Sequence, residues 1–285
     1  MNIEKEKTAI ERLKMFCPED GYYLAYSGGK DSDVLLALAK LAGVKFDAHH
    51  NLTTADAPET IYHVRKHKEV QIDRPEETMW ELIPRMMFPP TMICRYCCKT
   101  LKESSGECRC VATGVRWAES TKRKKNSGLV QIRGLKTGQT NQKGAAVFND
   151  DNEETRQMVE NCYRHHRISV NPIIDWTDED VWSWLLHYNI ELNPLYEEGF
   201  KRVGCVMCPM ARYRIKTMEM RRYPKFVQMY IHAFERMISR RKERGKDPIW
   251  HDGEECFKWW IGEDPDQYTL EQAAEIAEMK EWEEI

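Results

Sequence analysis

The sequence predicts an α/β protein: a doubly wound, mostly parallel sheet followed by a helical C-terminal part. Three observations carry this. The apolar run Tyr22-Tyr23-Leu24-Ala25-Tyr26 passes through two glycines into a helix-forming segment, the opening of a βαβ unit. Short β-like runs then alternate with segments of helical period, as in a parallel sheet covered on both faces. Past residue 210 the pattern turns helical. With 285 residues and 41% hydrophobic content, the chain can build one large domain with an appendage. The expected division is an α/β domain over 1–210 and a helical extension over 211–285.

Taken in order, an amphipathic helix opens the chain ahead of the strand at 22–26. Asp31 to Leu41 has apolar residues at i, i+3, i+4 and i+7, and Gly43 closes it. Lys45 to Leu52 fits a second strand, and Pro58 to His67 a helix with proline in its first turn. Val70 to Asp73 fits a third strand, Thr78 to Met87 a helix, and Arg109 to Val115 and Ile168 to Ile174 two more strands. The whole suggests a parallel sheet of about five or six strands. Residues 121–165 break the rhythm: they are basic and polar, show no clean period, and read as a long insertion. Thr177 caps the next helix with Asp180 at the capping-acid position, and Val181, Trp182, Trp184, Leu185 and Leu186 face a core. One long helix is expected from Thr217 to Gly245, and a final acidic helix from Leu270 to Glu284. No internal repeat is present.

Lysine and arginine total 43 against 46 acidic residues, a net charge of −3, so global electrostatics do not point to a nucleic-acid binder. Within 116–143, however, Arg116, Lys122, Arg123, Lys124, Lys125, Arg133, Lys136 and Lys143 face one acid, Glu119; the segment reads as a solvated loop rather than a polyanion site. No apolar run reaches the roughly 18 residues a membrane span needs. The first residues lack a signal-peptide core, so the expected compartment is the cytoplasm. In that reducing setting ten cysteines do not form a disulfide framework.

Ser27-Gly28-Gly29-Lys30-Asp31-Ser32 sits between a strand and a helix. Two glycines let successive backbone N–H groups point at one anion, with the helix N-terminus behind them. Lys30 adds a full charge, Ser27 and Ser32 add hydroxyls, and Asp31 is placed to meet magnesium or a substrate amine. The string lacks the four-residue gap and GK[ST] ending of a P-loop, which excludes that nucleotide fold. Arg116 follows the strand that ends near Gly114, where doubly wound sheets bind ligands, and its planar guanidinium suits phosphate or sulfate.

Cys97-Cys98 and Cys205-Val206-Met207-Cys208 offer two pairs of thiolates. Together they would complete a sulfur site for zinc or iron–sulfur, with Arg95, Lys99, Lys102, Arg202 and Arg212 nearby in sequence to offset the charge. Adjacent cysteines are awkward for zinc, because neighbouring side chains diverge. Cys94 reads as a spare ligand or reactive thiol. Cys108 and Cys110 alternate along a strand and point to opposite faces. Cys256, in an aromatic run, reads as core. His49, His50, His165 and His166 read as structural, and the nine tryptophans mostly as core.

The string SGGKDS resembles the pyrophosphatase loop of the adenine nucleotide alpha-hydrolase superfamily. Arg95 to Glu103 is similar to the double-cysteine segment of phosphoadenosine phosphosulfate (PAPS) reductases, Thr113 to Ser120 to their TGxRxxES motif, and Asn171 to Trp182 to their PIxDWTxxDVW segment. Asn193-Pro194-Leu195-Tyr196 and the glycine–cysteine turn at 204–208 follow in the expected order. The resemblance covers roughly residues 20–210. It implies an adenine nucleotide, ATP or PAPS/APS, held at Ser27–Ser32 with Arg116 on its phosphate or sulfate. It also implies a [4Fe–4S] cluster on Cys97, Cys98, Cys205 and Cys208.

Two departures stand out. No ECGxH-type tail cysteine is present, and Asn51 to Thr60 keeps only the Pro-Glu-Thr of a DTGxxxPET-like string. In both respects the sequence looks more like the relatives found in phages, mobile elements and DNA-phosphorothioation systems. The chemistry implied is either sulfonucleotide reduction, or magnesium-assisted adenylation and sulfur transfer to a nucleic-acid or protein acceptor. The alternative is a nucleotide-binding regulatory or defence-complex module without turnover. No single catalytic residue, reductant or oligomeric state is assigned.

Overall fold

The structure is a computed structural model and describes residues 2–103, 105–106, 108–134, 144–163 and 165–262. The expected acidic helix at 270–284, and Lys136 and Lys143 of the basic segment, lie outside the described residues. The chain forms two compact units. The first comprises Met1–Asn51, Pro58–Asp73 and Ser105–Val203; the second Leu52–Ala57, Arg74–Ser104 and Gly204–Ile285. This division differs from a boundary at 210, because two excursions from the α/β part join the C-terminal helices.

The first unit opens with α1 (Ile3–Met15), β1 (Tyr22–Ala25), α2 (Lys30–Ala42), β2 (Phe46–Asn51), α3 (Pro58–Lys66) and β3 (Val70–Asp73). In the second unit, α4 (Met79–Met86) and α5 (Tyr96–Leu101) come next in the chain. The chain then returns to the first unit with β4 (Cys110–Ala112), α6 (Thr121–Asn126), β5 (Val130–Arg133), β6 (Ala145–Phe148), α7 (Glu153–Cys162), β7 (Arg167–Val170) and α8 (Asp178–His187). The sheet order among the described residues is β3-β2-β1-β4-β7-β5-β6. β1, β2, β3, β4 and β7 run parallel. The chain winds outward from β1 to β3, then restarts on the other side of β1 with β4. This is the doubly wound topology that the alternating pattern predicts.

Its core is built from α1, α2, α8 and the strands: Leu13, Phe16, Leu24, Leu35, Leu38, Ile168, Trp176 and Trp184 are all buried. Thr177 caps α8 with Asp180 at N3, as the sequence indicates. Strands β4 and β7 are shorter than the runs Arg109–Val115 and Ile168–Ile174 suggest, because β4 and β7 stop where the chain turns into loops that carry polar groups.

The segment 121–165, read from the sequence as a long insertion without a clean period, contains α6, β5, β6 and α7. β5 runs antiparallel to both β7 and β6, with Val130 and Ile132 buried. Each strand is four residues long, too short for alternation to stand out in a polar context.

The second unit adds α9 (Tyr213–Arg222), α10 (Pro224–Glu243) and α11 (Gly253–Ile261). The single helix expected from Thr217 to Gly245 is two helices. Pro224 lacks an N–H and pushes Tyr223 out of helical geometry, to φ −121° and ψ 59°. α4 buries Met79, Leu82 and Ile83 and packs on α10, which also packs on α11. This explains why 74–104 belongs with the C-terminal helices. Tyr230, Phe234 and Trp260 form an aromatic core, with Trp80 edge-on to Tyr230. No helix among the described residues is long and apolar enough to cross a membrane.

Candidate functional site

β1 lies between β2 and β4, at the point where strand order reverses. Open α/β sheets bind ligands there, beyond the carboxyl ends of the strands. The segments that follow β1 (Ser27–Lys30) and β4 (Thr113–Arg116) both begin at this point. Gly28 has φ +74°, and a Cβ on it would meet Thr60 Cγ2 at 2.9 Å; only glycine makes this turn against α3. Gly114 also needs its missing side chain, since a Cβ would lie 2.7 Å from the Asp31 carbonyl oxygen.

The loop is held by its own hydroxyls and by a distant segment. Gly29 N donates to Ser32 Oγ at 3.1 Å, Ser32 Oγ to the Gly29 carbonyl at 2.7 Å, and Ser27 Oγ to Ser32 Oγ at 3.2 Å. The Lys30 amide donates to the Tyr196 hydroxyl at 2.9 Å. Asn193, fully buried, donates its Nδ2 to the Gly28 carbonyl at 3.0 Å and lies 3.2 Å from Thr60 Oγ1. Tyr196 and Asn193 were visible in the sequence only as part of a family-like string. Their contact with the loop is tertiary, and no local signal reports it.

Around the loop lies a compact set of charges. Lys30 Nζ is 3.1 Å from Asp31 and 3.4 Å from Asp178. Arg116, with a side chain 1% exposed, gives Nε to Asp31 at 2.7 Å, Nη2 to Asp178 at 2.8 Å and Nη1 to the Trp176 carbonyl at 3.1 Å. Two cations thus face two carboxylates. The Arg116 hydrogen bond holds Asp178 below the usual carboxylate range. Arg116 therefore reaches the loop through Asp31, and Asp178 is the partner that sequence reasoning did not single out.

The four cysteines come together in the second unit. Cys97 and Cys98 lie on α5, and Cys205 and Cys208 in a turn whose Met207 has φ +59°. The hydrogen bond from Cys97, with help from Arg95 and Lys102, pulls the Cys98 thiol down to about 5. Cys97 moves the other way, because it donates to Cys98 and faces Cys205 and Cys208. Burial first, then Cys205, raises Cys208. Lys102 is raised above its ordinary value by Cys205 and Asp56.

The strap Leu52–Ala57 braces the turn. Asp56 bridges antiparallel to Cys205, Val206 N donates to the Ala55 carbonyl at 2.7 Å, and Thr53 Oγ1 is 3.4 Å from Cys205 Sγ. Tyr230 donates to the Val206 carbonyl at 3.1 Å, and Met207 N donates to Glu219 at 2.7 Å. Of the five basic residues near the cysteines in sequence, Arg95 and Lys102 interact with the thiols. Lys99, Arg202 and Arg212 are exposed.

The remaining candidates are placed as follows. Cys94 and Cys110 are buried and Cys108 is exposed. Cys256 is 0% exposed within α11, and burial raises its thiol. His49 stacks on Tyr23 and bonds Asp73 at 2.7 Å; His50 is buried against the Tyr26 carbonyl.

A doubly wound sheet with a glycine loop at its switch point defines the class of α/β proteins that bind ligands at that crevice. Residues 21–211 match the phosphoadenosine phosphosulfate reductase domain, and the chain belongs to that family. An uncharacterised protein of Methanocaldococcus jannaschii is 28% identical over 255 residues, covering 82% of this chain and 54% of its own length. A second from the same organism is 28% identical over 208 residues, covering 71% and 39%. The chain thus spans about half or less of these relatives. The adenosine 5'-phosphosulfate reductase of Burkholderia cepacia is 28% identical over 89 residues, 30% of this chain and 32% of its own. Among solved structures, the Candida auris phosphoadenylyl-sulfate reductase in its phosphate complex is similar at a TM-score of 0.43 and 16% identity. It covers 71% of this chain and 93% of its own. A score this low carries no weight, and the fold rests on the strand order.

Proposed function

We propose that the chain binds an adenine nucleotide at Ser27–Ser32 and carries out ATP-dependent adenylation coupled to sulfur transfer, with a [4Fe–4S] cluster on Cys97, Cys98, Cys205 and Cys208. The observation that carries the reading is the loop itself: glycine amides, Lys30 and Asp31 gathered at the switch point between β1 and β4. Lys30 would hold phosphate, joined by the Gly29 and Lys30 amides as they turn from Ser32 and Tyr196 to the ligand, and Asp31 would meet the magnesium that accompanies it. Arg116 would keep Asp31 and Asp178 oriented. An acceptor nucleophile would attack the α-phosphorus, the bond from that phosphorus to the bridging oxygen would break, and pyrophosphate would leave with its charge offset by Lys30 and magnesium.

The donor set at the cysteines fits a cluster. Successive residues on a helix point about 100° apart, so Cys97 and Cys98 suit separate corners of a polynuclear centre better than one tetrahedral ion. When bound, the cluster supplies redox and sulfur-handling chemistry. Arg95 and Lys102 offset the thiolate charge. The sulfur acceptor proposed is a nucleic acid or protein.

Sulfonucleotide reduction is the second reading, favoured by the similarity to named reductases. It needs a thiolate that reaches the substrate sulfur, and Cys256 is fully buried inside a helix. Incubation of the protein, purified without oxygen, with ATP or with PAPS and APS separates the two. Pyrophosphate from ATP supports adenylation, and sulfite from PAPS or APS supports reduction. Nucleotide that binds but yields neither, with candidate partners added, would leave a regulatory module.

A further inference from the structure

Behind the phosphate loop, within the first unit, three side chains form a mixed imidazole–carboxylate group unrelated to the cysteines. Asp33 on α2, His63 on α3 and His67 just past the end of α3 bring one ligand atom each within 4.8 Å of one another. His63 Nε2 lies 3.1 Å from Asp33 Oδ1, and both side chains are 0% exposed. The Tyr26 hydroxyl donates to the same Asp33 oxygen and lies 3.2 Å from His63 Nε2.

The second observation is what these groups lack. Asp33 Oδ2 is buried without a hydrogen-bond partner, and so is His63 Nδ1. A buried carboxylate oxygen left unpaired is expensive, and this one belongs to a carboxylate on which two imidazoles already converge. Two histidines and one carboxylate are the donor set of first-row transition ions. Ligand atoms around a tetrahedral zinc-like ion sit about 3.3 Å apart, so a small contraction of the present spacing would close the site.

We propose that Asp33, His63 and His67 bind a divalent transition ion of the zinc or cobalt type, which locks α3 against the loop. The connection to the loop is direct. Thr60 and Val64, on the same helix as His63, crowd Gly28, and Asn193 spans the Gly28 carbonyl and Thr60. An ion tying α3 to the first turns of α2 would fix the wall on which Gly28 turns. The site stands whether or not the cysteines hold a cluster.

The test is a cobalt(II) titration of the full chain after removal of metal by a chelator. Nitrogen–oxygen coordination gives cobalt d–d absorption without the thiolate-to-metal charge-transfer band that cysteine ligands produce, so the two centres are told apart in one spectrum. Wild type should take up one cobalt with the thiolate-free signature. His67→Ala and the isosteric Asp33→Asn should each weaken that uptake at least tenfold, while any thiolate-type band persists and reports an intact fold. Tyr26→Phe should keep the signal. The assignment is overturned if only thiolate-type cobalt appears, if the thiolate-free band survives both ligand substitutions, or if Tyr26→Phe abolishes it. The first result would reduce the group to a hydrogen-bonded Tyr–Asp–His triad.

Discussion

In the first unit, six consecutive residues, Ser27–Ser32, make the proposed phosphate loop, and the distant groups Tyr196, Asn193 and Arg116 contact it. In the second unit, the thiol centre comes from three separated segments: α5, the turn 205–208, and the strap Leu52–Ala57 that holds the turn. An anion site built from backbone amides needs a particular turn, which a short string of glycines and hydroxyls can specify. A thiol centre needs side chains to converge from distant points, so it depends on the packing of the helices behind it.

That contrast makes the thiol centre the easier one to break outright. Cys205→Ser or Cys208→Ser should abolish bound iron, read by metal analysis of protein purified without oxygen; retained iron would move the site to Cys94, Cys108 or Cys110. Arg116→Ala comes next, since it leaves Asp31 and Asp178 without their buried partner. Both carboxylates keep Lys30 and Asp178 is largely exposed, so the loss is that of a charged hydrogen bond, about 1.5–3 kcal/mol, which a denaturant midpoint would register; an unchanged midpoint would place Arg116 outside the bracing network.

Lys30→Ala should weaken nucleotide binding more than about tenfold, roughly 1.4 kcal/mol. Equal affinity in a calorimetric titration would remove Lys30 from the site. The smallest effect concerns Glu219, which burial pushes up to about 7 while it accepts from Met207 N. A carboxyl with a raised folded value adds stability that is complete below its ordinary value and lost as pH rises through 7. Glu219→Gln should therefore flatten the fall in melting temperature between pH 5 and pH 7, an effect on the order of 1 kcal/mol; an unaltered slope would assign it elsewhere.

Most of the first unit was legible because βα alternation and the loop string are local. The capping of α8 by Thr177 and the burial of Trp176 and Trp184 follow from patterns a few residues long. The antiparallel strands β5 and β6 were not legible, since four-residue strands in a polar stretch carry too little alternation. The break at Tyr223 was written in Pro224 but masked by the helical period on either side.

At the candidate sites, the cysteine pairs and loop residues are short strings, so the sequence alone suffices to propose them. Asp178, Tyr196, Asn193 and the strap around Asp56 could not be assigned roles, because their contacts span more than 60 residues. His63 and His67 escaped notice although Asp33 is only 30 residues from His63. Their spacing of four is ordinary on a helix, and only the fold brings Asp33 to them.

The most direct measurement is the iron and acid-labile sulfide content of the full chain purified without oxygen, with its visible spectrum. A cluster on Cys97, Cys98, Cys205 and Cys208 requires about four irons and four sulfides per chain, with broad absorption. Zinc at these cysteines, with neither iron nor sulfide, would contradict the cluster and leave the thiol centre a structural one.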